Sequence, residues 1–479
     1  MWLSHAPYAQ RMDQSDVAPS RSAAPAGAFL CAARIVDGVQ ARRETVEEVT
    51  PSGSLPSGSI APWSLYGAPQ RWLFLALLFL VVTSSYFDSY ILSVVLDPIK
   101  REFNVSDTAL GLLGGFSYSI VYAVTAIPLA RWADRGNRCT LIALALAGWS
   151  VITAACGFAR SFAQLVLARF GLGLVQPGAM PPAQSLVADY FPPDRWGIAS
   201  AVLNVGSAAG YLFGVVIGGL VAAKFGWRMA FIIAGAPGIV LAFLVKGLLK
   251  EPRVHRGFPP GGVQGETMSA AWRALLKKRS FRLCLIAISE FVIFASGLNI
   301  FVPSFMIRTL GASLTQVSLT WGIAISIASL AGAVIGGTAS DALGRKDIRW
   351  YAWLPAIACA GAAPFYWLAL NVHGLWSFIA FDFIAELTVN TGVAVCFAPI
   401  HAVCGSARRA MAISFVQVSF MLVGFGFGPF ATGAMSDAFG AVFGADGLRY
   451  SLIAMVAFLV PAALAFYRTG AAMPADLEA

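Results

Sequence analysis

The chain has 479 residues, of which 58% are apolar and only 12% charged, about half the charged share of a soluble domain. A chain this long and this apolar is not a soluble core under a polar coat, which excludes the water-soluble classes. Its net charge of +9 would suit a nucleic-acid partner, but the placement of the cations argues otherwise.

In chain order, residues 1–65 are rich in Ala, Ser, Pro and Gly, show no cleavable signal peptide, and read as a disordered tail outside the fold. Twelve apolar spans follow, at roughly 72–96, 108–130, 139–159, 162–187, 196–222, 227–249, 281–306, 314–339, 349–370, 374–401, 410–432 and 449–467. The expectation is an all-α polytopic membrane protein with two six-span halves, 70–250 and 281–468. A linker, 251–280, joins them, and a tail covers 469–479. With these spans, 25 of the 33 Lys and Arg fall in the two tails and the even-to-odd loops, seven fall on the opposite side, and Arg169 lies within a span. That asymmetry places both termini in the cytoplasm of a multi-pass cell-membrane protein, so the basic balance reports topology and no nucleic acid is expected.

The linker ends in Ser269-Ala-Ala-Trp272-Arg273-Ala-Leu-Leu276-Lys277-Lys278, which reads either as an interfacial helix with Trp272 and Leu276 buried or as a basic connector. Span 5 places Gly206, Gly210, Gly214 and Gly218 at every fourth position, a flat strip that lets another helix approach closely. Seven cysteines (Cys31, Cys139, Cys156, Cys284, Cys359, Cys396 and Cys404) form no CxxC pair and read as packing.

Two loops repeat one pattern roughly two hundred residues apart. They are Ala130-Arg-Trp-Ala-Asp134-Arg-Gly-Asn-Arg138 and Gly337-Thr-Ala-Ser-Asp341-Ala-Leu-Gly344-Arg345-Lys346. Each puts an acid and a basic turn between two apolar helices. A duplicated half in a membrane chain points to a transporter.

These paired loops, the six-plus-six layout and Arg169-Phe-Gly-Leu-Gly173 of span 4 give a chain that resembles the major facilitator superfamily over residues 70–470. Within it the chain is most similar to the spinster-like group of lysolipid and sphingolipid transporters. Tyr86-Phe-Asp88, Leu186-Val-Ala-Asp189-Tyr-Phe191, Gly447-Leu-Arg449-Tyr450, Glu386 and Asn390 carry that likeness, though organic-anion symporters share several of these features. In that group the acid of span 1 is followed by Arg and span 4 carries a Glu; here Ser89 and Gln176 take those places. One cation and one acid are lost together, which would leave Asp88 and Arg169 facing each other.

Five ionisable residues stay inside the spans: Asp88, Arg169, Glu290, Asp382 and Glu386. A charge near the midplane costs roughly 2.5–3.5 kcal/mol, so each needs a partner, a proton or a water-filled cavity. Asp88 is expected to carry a proton, or else to be locked to Arg169. Asp382 and Glu386 share a face of span 10 one turn apart and are further proton-coupling candidates. Glu290 is expected to snorkel toward cytoplasmic cations.

The resemblance implies a cytoplasmic gate in which Asp134 meets Arg408 and Arg409, and Asp341 meets Arg195, with Arg138, Asp189 and Arg345 in the same loops. The expected central cavity is lined by Tyr86, Phe116, Tyr118, Tyr122, Phe294, Asn299, Phe301 and Trp321, with Gln176 and Asn390, while Arg169 holds an anionic head group. No Ser/His/Asp set, metal-ligand cluster or phosphate loop suggests an enzyme, a cofactor or ATP use, and no filter-like repeat suggests a channel. The expected function is secondary active transport of a small amphiphilic or anionic solute by alternating access, coupled to protons, in a monomer embedded in the lipid bilayer. A lysolipid or sphingoid solute is favoured; the alternative is an organic-anion/proton symporter or a drug efflux transporter.

Overall fold

The computed structural model describes residues 62–255, 268–393, 395–404, 412–413 and 415–477, so the expectations for the N-terminal tail and for Arg408 and Arg409 lie outside the described residues. Span 1 is Ala68–Phe103, span 2 Asp107–Arg135, span 3 Arg138–Cys156. Span 4 is broken into Phe162–Val175 and Met180–Tyr190, because Pro177 in the Gln176–Gly178 turn supplies no backbone N–H. Spans 5 and 6 are Trp196–Phe225 and Trp227–Leu248. A short helix, Met268–Lys277, precedes span 7, Arg279–Arg308. Spans 8, 9 and 10 are Leu314–Gly344, Trp350–Asn371 and Leu375–Val393, the last continued by Ala398–Val403. Span 11 covers 415–443 and span 12 comprises Gly447–Val456 and Leu459–Leu477.

Loop chemistry fixes the starts. Ser106, Asn137, Ser161 and Ser313 each accept a backbone N–H of the helix they open, satisfying amides that have no partner within the helix. Span 12 runs to Leu477, past the expected 467. The reason is local: the Asp476 carboxylate accepts the Ser280 amide at 2.6 Å, and Lys278 donates to the carbonyls of Val403 and Asp476. In the short helix before span 7, Leu275 is buried and Trp272 lies 4.2 Å from the Phe415 ring, while Arg273 and Lys277 are exposed.

Among the described residues, the packing pattern of spans 1–6 returns in spans 7–12. Spans 1 and 5, 2 and 4, and 3 and 6 pack together, as do 7 and 11, 8 and 10, and 9 and 12. Between the halves, span 2 meets span 11, span 5 meets span 8, and span 1 meets span 7. The glycine strip of span 5 lies against span 1: an added Cβ at Gly210 would collide with the Thr83 carbonyl, and one at Gly214 would come within 2.9 Å of the Phe87 carbonyl.

Candidate transport pathway and gates

Asp88 falls in the middle third of span 1 and is 1% exposed. Neither of its carboxylate oxygens makes a hydrogen bond, and the Thr153 hydroxyl and the Arg169 guanidinium are its polar neighbours. Arg169, 6% exposed, likewise makes no hydrogen bond through its buried Nη2, and no ion pair joins it to Asp88 within 4.0 Å. The two therefore influence each other across a gap without locking together, unlike the close pair that is the alternative reading of the sequence. A buried acid and a buried cation without hydrogen-bonded partners are costly in an apolar bundle.

An aromatic cluster lies beside Arg169. Tyr118 neighbours Arg169 and packs 5.5 Å from Tyr122, and Tyr86 stacks 6.2 Å from Tyr90. Phe116 reaches across the halves to Phe430 at 5.4 Å. Gln176 is buried in the turn that breaks span 4, and Asn299 is half-buried. Two expectations change here. Phe294 and Phe301 are sealed in the apolar core, Phe294 packing edge-on to Tyr366, so they are packing residues in this state rather than a wall open to solute. Trp321 is also sealed, but its indole N–H donates to Asp382 Oδ2 at 2.7 Å.

Asp382 and Glu386 are 3% and 6% exposed. Glu386 Oε2 accepts from Asn390 Nδ2 at 2.8 Å, and Asn390 also contacts Ser329. Tyr366 from span 9 and Tyr211 from span 5 have both carboxylates as electrostatic neighbours, and Tyr90 has Glu386. Sequence reasoning missed these three tyrosines, which lie on three different spans. Glu290 is half-buried with Oε2 unpartnered and reaches no cation within 4.0 Å among the described residues, so the expected snorkelling contact is not made there.

The end that carries the 104–106 and 309–313 loops is drawn shut. Arg308 of span 7 donates to Asp97 Oδ1 at 2.7 Å and forks onto both oxygens of Asp107 at 2.9 Å. Lys100 adds a third contact to Asp107 at 2.6 Å, and Ser436 donates to it at 2.7 Å. Asp437 of span 11 accepts the backbone amides of Asp107 and Thr108 at the start of span 2. Apart from the Lys100 contact, which joins spans 1 and 2, these are charge-assisted bonds across the halves, and the two amide bonds to Asp437 sit at a helix N-terminus that favours an anion. None of these residues was singled out from the sequence, although a signal existed: Ser436-Asp437-Ala-Phe-Gly440 repeats Ser340-Asp341-Ala-Leu-Gly344.

At the other end, Asp134, Arg195, Asp341 and Arg345 are exposed, and no ion pair links Asp341 to Arg195. Arg138 and Asp189 require a correction: they do not bridge halves. Arg138, 1% exposed, forks onto Glu251 and donates to Asp189 and to Ser185 at 2.8 Å, tying spans 3 and 4 to the segment after span 6 within one half. The Glu251 carboxylate also accepts the Arg138 amide at 2.7 Å, so it caps span 3 as well as pairing its first side chain.

Residues 78–404 match the profile of the Major Facilitator Superfamily. The chain belongs to that superfamily. Its members are transporters and not enzymes, and the two-half helical bundle described above is the superfamily fold. An MFS-type efflux pump of Mycolicibacterium smegmatis is 33% identical over 393 residues, covering 82% of this chain and 90% of that one. The human protein spinster homolog 1 is 26% identical over 390 residues, covering 76% and 73%. A crystal structure of a bacterial homolog of the human lysosomal transporter Spinster, inward-facing and unoccupied, superposes with a TM-score of 0.78 at 28% identity, covering 86% of this chain and 99% of that one. The spinster-like resemblance seen in the sequence thus extends to the superfamily member's structure.

Proposed function

We propose that this major facilitator protein is a proton-coupled secondary transporter of an amphiphilic organic solute, working by alternating access across a cell membrane with both termini cytoplasmic. The observation that carries the reading is Asp88, buried near the middle of span 1 with neither oxygen partnered, and its electrostatic neighbour Arg169, whose buried Nη2 is also unpartnered. Asp88 takes and releases the proton, and Asp382 and Glu386 form a second acidic station in the other half. Arg169 offers a fork to a phosphate or carboxylate head group, and the Tyr86, Tyr118 and Tyr122 rings offer a surface to the apolar part. The bonds at the 104/309 end, together with the exposed gate residues opposite, correspond to an inward-facing state. In the outward-facing state, the Asp134 and Asp341 loops would close against spans 11 and 5.

Likeness to the spinster homolog supports a lysolipid or sphingoid solute. A second reading, drug efflux, is favoured by the efflux pump of M. smegmatis, and organic-anion transport by a 26% likeness to the cis,cis-muconate transport protein of Acinetobacter baylyi. Proteoliposomes loaded with a lysophospholipid, a dicarboxylate or a lipophilic cation separate these readings. Exchange of the lysophospholipid, accelerated by a pH gradient, is the expected result; exchange of none of the three refutes the reading.

A further inference from the structure

The carboxylate pair of span 10 has a setting of its own. Asp382 and Glu386 are both more than nine-tenths buried, yet no Lys, Arg or His lies within 4.0 Å of either among the described residues. Each carboxylate has one oxygen engaged by a neutral donor, Trp321 Nε1 for Asp382 and Asn390 Nδ2 for Glu386. At normal hydrogen-bond geometry these are the only donors to the two carboxylates among the described residues, and the second Glu386 oxygen is left to the Tyr366 hydroxyl nearby. A separate observation points the same way. Tyr366, 1% exposed, places its buried hydroxyl beside Glu386 but outside normal hydrogen-bond geometry, and both carboxylates are its electrostatic neighbours.

Two tyrosines from the other half complete the arrangement. Tyr90 and Tyr211 belong to the other half and pack edge-to-face at 4.4 Å; from across the interface between halves Tyr211 neighbours both carboxylates and Tyr90 neighbours Glu386. Two acids that lack a counter-cation, with the Trp321 indole bonded to one and three tyrosines as electrostatic neighbours, are satisfied by an entering cation and not by an anion. The aromatic surface attracts an organic cation by its quadrupole, and the carboxylate oxygens accept its N–H groups. A hard metal ion fits poorly, because no third Asp, Glu, His or Cys joins the two carboxylates among the described residues and such ions take six or more oxygens.

We propose that Asp382, Glu386 and the facing Tyr90, Tyr211 and Tyr366 form a subsite for the cationic nitrogen end of an organic solute, spanning the interface between the two halves. This deepens the transport reading and rests on it. Arg169 lies in one half and the acidic pair in the other, so a solute that touches both poles draws the halves together around itself. Because Tyr90 and Tyr211 move with one half and the carboxylates with the other, the subsite is complete only while those surfaces face each other, which ties cation binding to conformation.

The test uses ethidium as the probe and the purified full chain in detergent, with fluorescence anisotropy for binding, alongside lysophosphatidic acid counterflow in proteoliposomes. Saturable ethidium binding is expected, weakened at least tenfold in the Asp382→Asn/Glu386→Gln double variant. Tyr211→Leu, which leaves both acids in place, should weaken it severalfold, and melting curves of each variant establish that it is folded. Absence of saturable binding to the wild-type chain, or an unchanged Kd in the folded double variant, overturns the subsite. If ethidium is not bound while lysophosphatidic acid still exchanges, the subsite is wrong and the transport reading stands. If ethidium binds through the acidic pair while neither solute exchanges, the subsite stands and the transport reading fails.

Discussion

Asp437 of span 11 accepts the amide of Asp107 at 3.0 Å and that of Thr108 at 2.7 Å, joining residues 330 positions apart at the first turn of span 2. A carboxylate on a helix N-terminus satisfies amides that have no partner within the helix and meets the positive end of its dipole. The same pair of spans has a second acid at its opposite end, Asp134, exposed in this state at the last turn of span 2. Within this helix pair Asp437 is engaged, while Asp134 is free of any ion pair among the described residues.

Asp437→Asn removes the charge and weakens the contact to both amides. Hydrogen bonds to charged groups contribute about 1.5–3 kcal/mol, so the balance between states should move about 10- to 100-fold toward opening of the 104/309 end. Spin labels at Ser106→Cys and Ala441→Cys, in a chain otherwise free of cysteine, should show a second, longer distance. A single unchanged distance distribution would show that Asp437 does not hold this end shut.

Arg308→Ala should have the larger effect, because it leaves Asp97 and Asp107 without their shared guanidinium. Removing one member of a buried charged cluster costs about 3–5 kcal/mol. The same labels should then report mostly the open distance, and Arg308→Lys, which keeps the charge but loses the fork, should fall between. Equal behaviour of the Lys and Ala variants would place the effect on packing.

Arg138→Ala should act differently, since its partners Glu251, Asp189 and Ser185 lie within one half. The expected outcome is destabilisation by about 3–5 kcal/mol, read as a lower melting temperature, with the distance between halves unchanged in the protein that remains folded. A shifted distance at unaltered melting temperature would return Arg138 to the gate.

Much of the bundle was legible because a membrane span is written in a long apolar run, and the fold follows from counting such runs and noting that the half repeats. The glycine strip of span 5 was legible for the same reason: periodicity on one helix says that something approaches closely, and here span 1 does. The break at Gln176–Gly178 and the extension of span 12 to Leu477 were harder to see, since the first depends on Pro177 and the second on Asp476 capping a helix two hundred residues earlier. The acids Asp88, Asp382 and Glu386 stood out because a charge inside an apolar run is conspicuous. Their tyrosine neighbours did not, because Tyr90, Tyr211 and Tyr366 converge only when three spans pack together. Asp97, Lys100, Asp107 and Arg308 look like ordinary turn charges until both halves meet around them, and Phe301 looks like any cavity aromatic until packing seals it.

The role assigned to Asp88 is the centre of the account, and Asp88→Asn tests it most directly. The amide mimics the protonated carboxyl and cannot release a proton. In proteoliposomes carrying a lysophospholipid, this variant should lose accumulation driven by a pH gradient and keep at least part of solute-for-solute counterflow, which needs no net proton movement. Gradient-driven accumulation at the wild-type rate, or equal loss of accumulation and counterflow in a folded variant, would contradict it.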